Sequence, residues 1–263
     1  MTRVGVAATA PFGADVLERL AQRHDVAWVL TRPDRPAGRG RRTTPPPAKV
    51  AAERLGLEVR QPEKPGPDDI AGVDTIVLVA YGVLIPEDLL ERALWLNVHP
   101  SLLPHWRGAA PVERALLAGD EKTGVSIIKL VKELDAGPIA AQRAFQIAAD
   151  DDAGAVYAKA ADLAVELLDE VLPNPHLREQ QGEATYAEKL TAADRQVDLS
   201  HPDDALRRIR ALSPHIGARA ELHGRPVTVW RARVDNGELV PLEVQPDGGR
   251  RMTYEEFLRG LRS

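Results

Sequence analysis

The chain contains no cysteine, which excludes disulfides, a thiol nucleophile and a zinc–thiolate centre. It has no apolar run approaching the roughly 20 residues needed to span a bilayer. Its N-terminus opens straight into a strand-like run, without a charged-then-apolar leader pattern. The turn after that run, Ala8-Thr9-Ala10-Pro11-Phe12-Gly13, lacks the spaced glycines of a dinucleotide fingerprint, so a nicotinamide cofactor is not expected. No internal repeat is visible. What is present is ordinary for a globular protein: 263 residues, 44% hydrophobic and 28% charged, enough for one large domain or two modest ones. A cytoplasmic protein without membrane attachment is the expectation.

The formal net charge is -5, which argues against a general nucleic-acid coat. The distribution says more than the sum. Arg32, Arg35, Arg39, Arg41, Arg42 and Lys49 crowd one early segment with only Asp34 among them, and Arg207, Arg208, Arg210, Arg219, Arg225, Arg231 and Arg233 form a second basic set. Two basic surfaces on an acidic protein suit a localised polyanion site, the alternative being solvated charge runs. Residues 31–47 (TRPDRPAGRGRRTTPPP) can be neither a helix nor a central strand, because proline removes donors and fixes φ. A long loop is expected there. Its Arg35, Arg39, Gly40, Arg41 and Arg42 suit bidentate phosphate contacts, or else decorate a surface loop.

Hydrophobic spacing predicts strand, helix and strand over residues 3–8, 12–20 and 26–30, a βαβ opening typical of a parallel sheet. A helix over 48–55, a brief strand over 57–60 and a fully buried strand over 74–79 follow. Ala80-Tyr81-Gly82 ends that strand. Val83-Leu84-Ile85-Pro86 then reads either as an apolar loop lining a pocket for a flat ring or as a core plug. Two strands are expected over 124–132 and 137–147, then a long amphipathic helix over 153–172. The polar run to residue 184 reads as a linker. Beyond it come a helix over 201–212 capped near Ser200, a hairpin turning at His223-Gly224, a strand over 238–244 and a closing helix. The fold class is therefore α/β: a Rossmann-like, mostly parallel twisted sheet with helices on both faces, followed by a smaller C-terminal domain. The boundaries expected are 1–172 for a catalytic domain, 173–184 for the linker and 185–263 for the C-terminal domain.

The chemistry points to Leu96-Asn97-Val98-His99-Pro100-Ser101-Leu102-Leu103-Pro104. Asn97 and His99 flank Val98, so in an extended chain both side chains share one face. Pro100, Ser101 and Pro104 then break the strand into a rigid turn. An Asn donor and a His able to hold a proton, at the carboxyl end of a parallel strand, suit acyl transfer. A strand-end turn with a capping Asn and a surface His is the other reading. Asp135, in the turn between two strands, is either an Asx cap or a carboxylate that orients His99. His99 and Asp135 are both expected to lie exposed in a cleft.

The run NVHPSLLPHWRGAAPVERALLAGDEKTGVSIIKLVKELDAGPI resembles the active-site half of the methionyl-tRNA formyltransferase family. RPDRPAGRGRRTTPPPAK resembles the loop this family uses against the initiator tRNA acceptor end. AYGVLIP, TYAEKLTAADRQVDLS and VQPDGGRRMTYEEFLRG also match its pattern, so the resemblance covers most of the chain. It implies a catalytic set of Asn97, His99 and Asp135, and a folate site at Ser101, Leu102, Leu103, Pro104, Tyr81, Gly82, Val83, Leu84 and Ile85. It also implies 10-formyltetrahydrofolate as cosubstrate, initiator methionyl-tRNA as partner, no metal, and a monomeric enzyme. The amine would attack the formyl carbon directly, through a tetrahedral species. The chain departs from the family where Ala8-Thr9-Ala10 replaces Gly-Thr-Pro and where Ser213-Pro214-His215-Ile216-Gly217 replaces a more aromatic segment. Only residues 234–237 stand where the family's C-terminal OB-like barrel continues for several strands. A truncated barrel is therefore expected, and with it an alternative: an N-formyltransferase for a small amine such as a nucleotide-linked amino sugar.

Overall fold

The computed structural model describes residues 1–37 and 42–261. Arg39, Gly40 and Arg41 lie outside the described residues, and Arg42 enters only as a strand position. The βαβ opening is β1 (Arg3–Ala8), α1 (Pro11–Leu20) and β2 (Asp25–Leu30). The proline- and arginine-rich segment holds a short ribbon, β3 (Arg35–Ala37) against β4 (Arg42–Thr44), with Arg35 opposite Thr44. Next come α2 (Pro47–Arg54), β5 (Val59–Arg60), β6 (Thr75–Val79), α3 (Glu87–Leu90) and β7 (Leu94–His99). Then follow β8 (Arg107–Gly108), α4 (Pro111–Ala118), β9 (Lys122–Lys129), β10 (Ile139–Gln146) and α5 (Ala153–Val171). The last part comprises β11 (Tyr186–Ala187), α6 (Pro202–Leu212), β12 (Ala218–Leu222), β13 (Arg225–Asp235), β14 (Glu238–Pro246), β15 (Met252–Thr253) and α7 (Tyr254–Leu261).

The main sheet has seven strands in the order β10-β9-β7-β6-β1-β2-β5. The five from β7 to β5 are mutually parallel, and β9 runs antiparallel to β7. From β1 the chain winds outward to β2 and β5, then crosses back to the other side at β6. Ligands gather beyond the carboxyl ends of sheets wound in this way. Gly5 on β1 is required by packing, since a Cβ there would lie 2.3 Å from the Trp28 ring. Trp28, Ile76, Tyr81, Ile85, Leu89 and Trp95 belong to one buried cluster, and both indole N–H groups are satisfied, by the carbonyls of Ala71 and Leu89.

Two compact units emerge, and they interleave along the chain. One comprises residues 1–107, 124–144 and 158–185; the other comprises 108–123, 145–157 and 186–263. The second contains the sheet β12-β13-β14-β15, an open antiparallel meander over which α6 and α7 pack, with Ile209, Leu212, Val227, Val229, Val244 and Phe257 at its core. Its hairpins turn at His223-Gly224 (φ 52 and 72) and Asn236-Gly237 (φ 49 and 79). Two consecutive left-handed residues are what a two-residue hairpin requires, hence the X-Gly pairs. The cap expected at Ser200 is not formed: α6 starts after His201 with no side-chain cap, because Ser200 is drawn to the Asp198 carboxylate. Among the described residues no helix is long and apolar enough to cross a membrane.

Candidate active site

Trp95, Asn97 and His99 alternate with Leu96 and Val98 along β7, so all three share one face of the sheet. Trp95 packs into the cluster holding Tyr81, Ile85 and Leu89, which brings the loop after β6 to that same face. On the other flank Asn97 stands opposite Ile128 of β9, and Ile128 packs with Leu103 and Ile139. The polar pair thus sits between two apolar walls at the carboxyl end of β7.

Asp135, 38 positions beyond Asn97, is carried to this point by the turn after β9. One carboxylate oxygen accepts a hydrogen bond from the Asn97 amide at 3.2 Å, and the other lies 3.6 Å from His99 Nδ1. The second distance is an ionic contact, longer than a hydrogen bond. His99 Nε2 lies 2.8 Å from the Trp106 carbonyl oxygen. A carbonyl only accepts, so Nε2 carries the proton and Nδ1 is the atom free to take another. A proton there faces the carboxylate directly.

His99 and Asp135 are not exposed in a cleft as expected, and Asn97 is buried with them. Asn97, His99 and Asp135 are 6%, 5% and 7% exposed. The reason is tertiary: residues 100–106 double back so that the Trp106 carbonyl reaches the ring, and the turn carrying Asp135 closes over from β9. Both covering segments contain a left-handed residue, Trp106 at φ 61 and Asp135 at φ 49. Asp tolerates that conformation, whereas a bulky Trp does so only under constraint.

The turn over 101–104 is braced from within. The Ser101 hydroxyl donates to the His105 carbonyl (2.6 Å), and the Ser126 hydroxyl donates to the Ser101 carbonyl (2.7 Å). The Leu103 amide donates to Ser126 Oγ, and the Leu103 carbonyl accepts from Gln142. Ser101 is fully buried, and what the turn can offer a ligand is chiefly the apolar surface of Leu102 and Pro104. In the loop after β6, Tyr81 and Ile85 are core residues while Leu84 is 84% exposed. Burial, reinforced by Asp69 and partly offset by Arg32, pushes the Tyr81 phenol up to about 12. It is therefore a neutral hydroxyl, and it has no partner among the described residues.

The base of the arginine–glycine loop is pinned at Asp34, which accepts from both Gln61 (2.8 Å) and Lys49 (2.8 Å). Those bonds, Gln61 foremost, hold the Asp34 carboxyl below its usual range. Arg35 is exposed, with Glu63 at 3.8 Å. In the second basic set most guanidiniums are already spent. Arg207 and Arg208 pair with Asp204, Arg219 with Asp247 and Arg233 with Asp235, and Arg210 donates to the carbonyls of Asp151 and Ala148.

Residues that sequence reasoning passed over also reach the site. Gln180 and Thr185 come from the segment read as a linker and its border. Gln180 hydrogen-bonds the backbone around Asp135, and Thr185 that around Trp106. Nothing local marks Gln180; Thr185 lies within TYAEKL but carries no chemical signature of its own. Among the described residues no group of three or more His, Asp and Glu could hold a metal ion.

The chain as a whole has counterparts among known proteins. The model of the Formyl transferase family matches residues 3–172. The methionyl-tRNA formyltransferase of Halorhodospira halophila is 41% identical over 99% of this chain and 96% of its own length. That alignment runs over 300 residues against 263 in this chain, so the relative has segments without a counterpart here. The solved methionyl-tRNA formyltransferase from Clostridium thermocellum shares the fold with a TM-score of 0.67 at 16% identity, covering 94% of this chain and 99% of that one. HypX from Aquifex aeolicus, solved in complex with tetrahydrofolic acid, does so with a TM-score of 0.65 at 17% identity, over 98% of this chain and 47% of that one. The chain belongs to the formyl transferase family, and within it to the methionyl-tRNA formyltransferases. It is an enzyme of the transferase class.

Proposed function

We propose that the protein transfers the formyl group of 10-formyltetrahydrofolate to the α-amine of methionyl-initiator tRNA. The observation that carries this reading is the Asp135 carboxylate bridging Asn97 and His99 at the carboxyl end of β7. Attack of the amine on the formyl carbon forms a C–N bond and puts negative charge on the formyl oxygen, which Asn97 stabilises through the amide hydrogen not given to Asp135, and His99 once Nδ1 is protonated. The amine then sheds a proton. His99 Nδ1 receives it, Asp135 steadies the resulting imidazolium, and the proton passes to the folate N10 as its bond to the formyl carbon breaks. No formyl group is held on the enzyme. The two apolar walls suit a flat ring. Gly82, Val83 and Leu84 would cover one side of it and Leu102 and Pro104 the other, backed by the buried Tyr81, Ile85, Ser101 and Leu103, with Leu84 and the 65%-exposed Leu134 able to close over it. The domain roles 1–172 and 185–263 and a monomeric, cytoplasmic enzyme belong to this reading.

The tRNA would be held largely by Arg35, Arg39, Gly40, Arg41 and Arg42, since most of the second basic set is internally paired. Replacing Arg39, Arg41 and Arg42 together with Ala should raise the KM for charged tRNA and flatten its salt dependence, by about 0.7–0.9 log units for each phosphate no longer neutralised. The KM for 10-formyltetrahydrofolate should stay put. An unchanged tRNA KM and salt slope would transfer the case to a small amine, such as a nucleotide-linked amino sugar, which has no need of this loop.

A further inference from the structure

We propose that residues 178–185 form a strap that positions the catalytic set, with Gln180 and Thr185 as positioning residues; this rests on the formyl-transfer reading above. The strap's amide and hydroxyl groups are committed to the two segments that cover the end of β7. Gln180 Nε2 donates to the carbonyls of Asp135 (2.7 Å) and Gly137 (2.8 Å), while its Oε1 accepts from Arg107 Nη2 (2.7 Å) and Nε (3.2 Å). Both amide protons and both oxygen lone pairs are used, so the side chain has one orientation. Thr185 Oγ1 accepts from the Trp106 amide (2.9 Å) and lies 2.6 Å from His105 Nδ1. The Thr185 carbonyl accepts from the Arg107 amide (2.9 Å), and its own amide donates to the Pro104 carbonyl (3.2 Å). Arg178 and Ile139 exchange backbone bonds at 2.7 and 3.0 Å, anchoring the strap's start beside β10.

The residues so held are the left-handed ones of the two covering segments. Trp106 presents the carbonyl that fixes which nitrogen of His99 is protonated, and Asp135 presents the carboxylate shared by Asn97 and His99. Conformations of this kind persist only when the surroundings over-determine them. The strap supplies that determination from outside the core, because residues 178 and 179 are exposed and Gln180 and Thr185 only half-buried. Its bonds therefore bear on geometry more than on folding. When the Trp106 amide loses this acceptor, the peptide between His105 and Trp106 can turn and the left-handed φ of Trp106 is no longer held; the carbonyl that follows then shifts against His99 Nε2, and the ring tautomer is no longer fixed.

The test compares Thr185→Val, which keeps the shape and removes the oxygen, with Thr185→Ser, which keeps the oxygen. Gln180→Glu, which is isosteric and lacks both donors, serves as the second site. Thr185→Val should lower kcat about 10- to 100-fold, the scale of a small misplacement of reacting groups. Both KM values should stay within about twofold and the melting temperature nearly unchanged, with Thr185→Ser restoring most of the loss and Gln180→Glu behaving like Val. Independently of turnover, 15N NMR of the His99 ring, assigned by difference from His99→Gln, should show one Nε2–H tautomer in the wild type and a mixture in Thr185→Val. A Val variant that keeps the wild-type tautomer, or keeps wild-type kcat, overturns the proposal, as does a Ser variant no better than Val. A wild-type protein inert toward methionyl-tRNA would instead refute the function, leaving the ring tautomer to decide on the strap.

Discussion

The carboxylate of Asp135 is the group whose removal tests the chemistry most directly, and Asp135→Asn is the appropriate change. Asn is among the few residues that accept a left-handed backbone, so φ 49 costs the variant little. Its amide oxygen can still accept from Asn97, and its NH2 can donate to the lone pair of His99 Nδ1. The contacts to Asn97 and His99 are thus kept, the negative charge is removed, and the Nδ1 lone pair is engaged by a donor. That charge matters when His99 takes the amine proton. At the 3.6 Å separation and an effective dielectric of about 20, a full imidazolium charge interacts with the carboxylate by about 4.6 kcal/mol. With the proton half transferred in the transition state, about half of that applies. At 1.36 kcal/mol per decade, kcat should fall between about 50-fold and about 2,000-fold. The assay is single-turnover formylation of charged initiator tRNA at saturating 10-formyltetrahydrofolate, with both substrate affinities measured separately. Affinities should be nearly unchanged, because the buried carboxylate faces Asn97 and His99. A variant within about fivefold of the wild-type rate would refute the charge-pairing role of Asp135.

Two further outcomes follow from the packing and the charges. Gly137→Ala would place a Cβ 1.8 Å from the Lys129 carbonyl oxygen, a backbone atom that cannot yield. Denaturant melts should show a loss of more than about 3 kcal/mol, and stability within about 0.5 kcal/mol of wild type would contradict the packing described. In the second unit the Asp194 carboxyl is lowered to about 2, first by the Thr191 backbone amide, then by the Thr191 hydroxyl and Arg114, against the opposing effect of burial. A lowered folded-state pKa gives stability that is present above the unfolded value near 4 and lost as pH falls toward 2. At 1.36 kcal/mol per unit its upper bound is about 2.5 kcal/mol. Asp194→Asn should therefore be less stable than wild type at pH 7, and the difference should shrink steadily between about pH 4 and pH 2. A difference that is independent of pH would rule this out.

Much was settled by the sequence itself, for local reasons. A strand's period of two puts Asn97 and His99 on one face, and the Pro100, Ser101 and Pro104 turn ends β7 just beyond them. The pair His223-Gly224 marks a hairpin because left-handed backbone favours such residues, and proline at residues 45–47 places the start of α2. The motifs around Asn97 identify the family. The tertiary structure decided the rest. Asp135 meets Asn97 only because β9 pairs antiparallel with β7 and the following turn folds back, a register no local pattern encodes. The burial of Asn97, His99 and Asp135 arises from segments closing over them, and the left-handed Trp106 behind that closure has no sequence signal. Gln180 and Thr185 read as polar residues of a linker and its border. They bond to residues about 45 and 80 positions away, and such contacts depend on where two distant backbones come to rest, not on the composition of either.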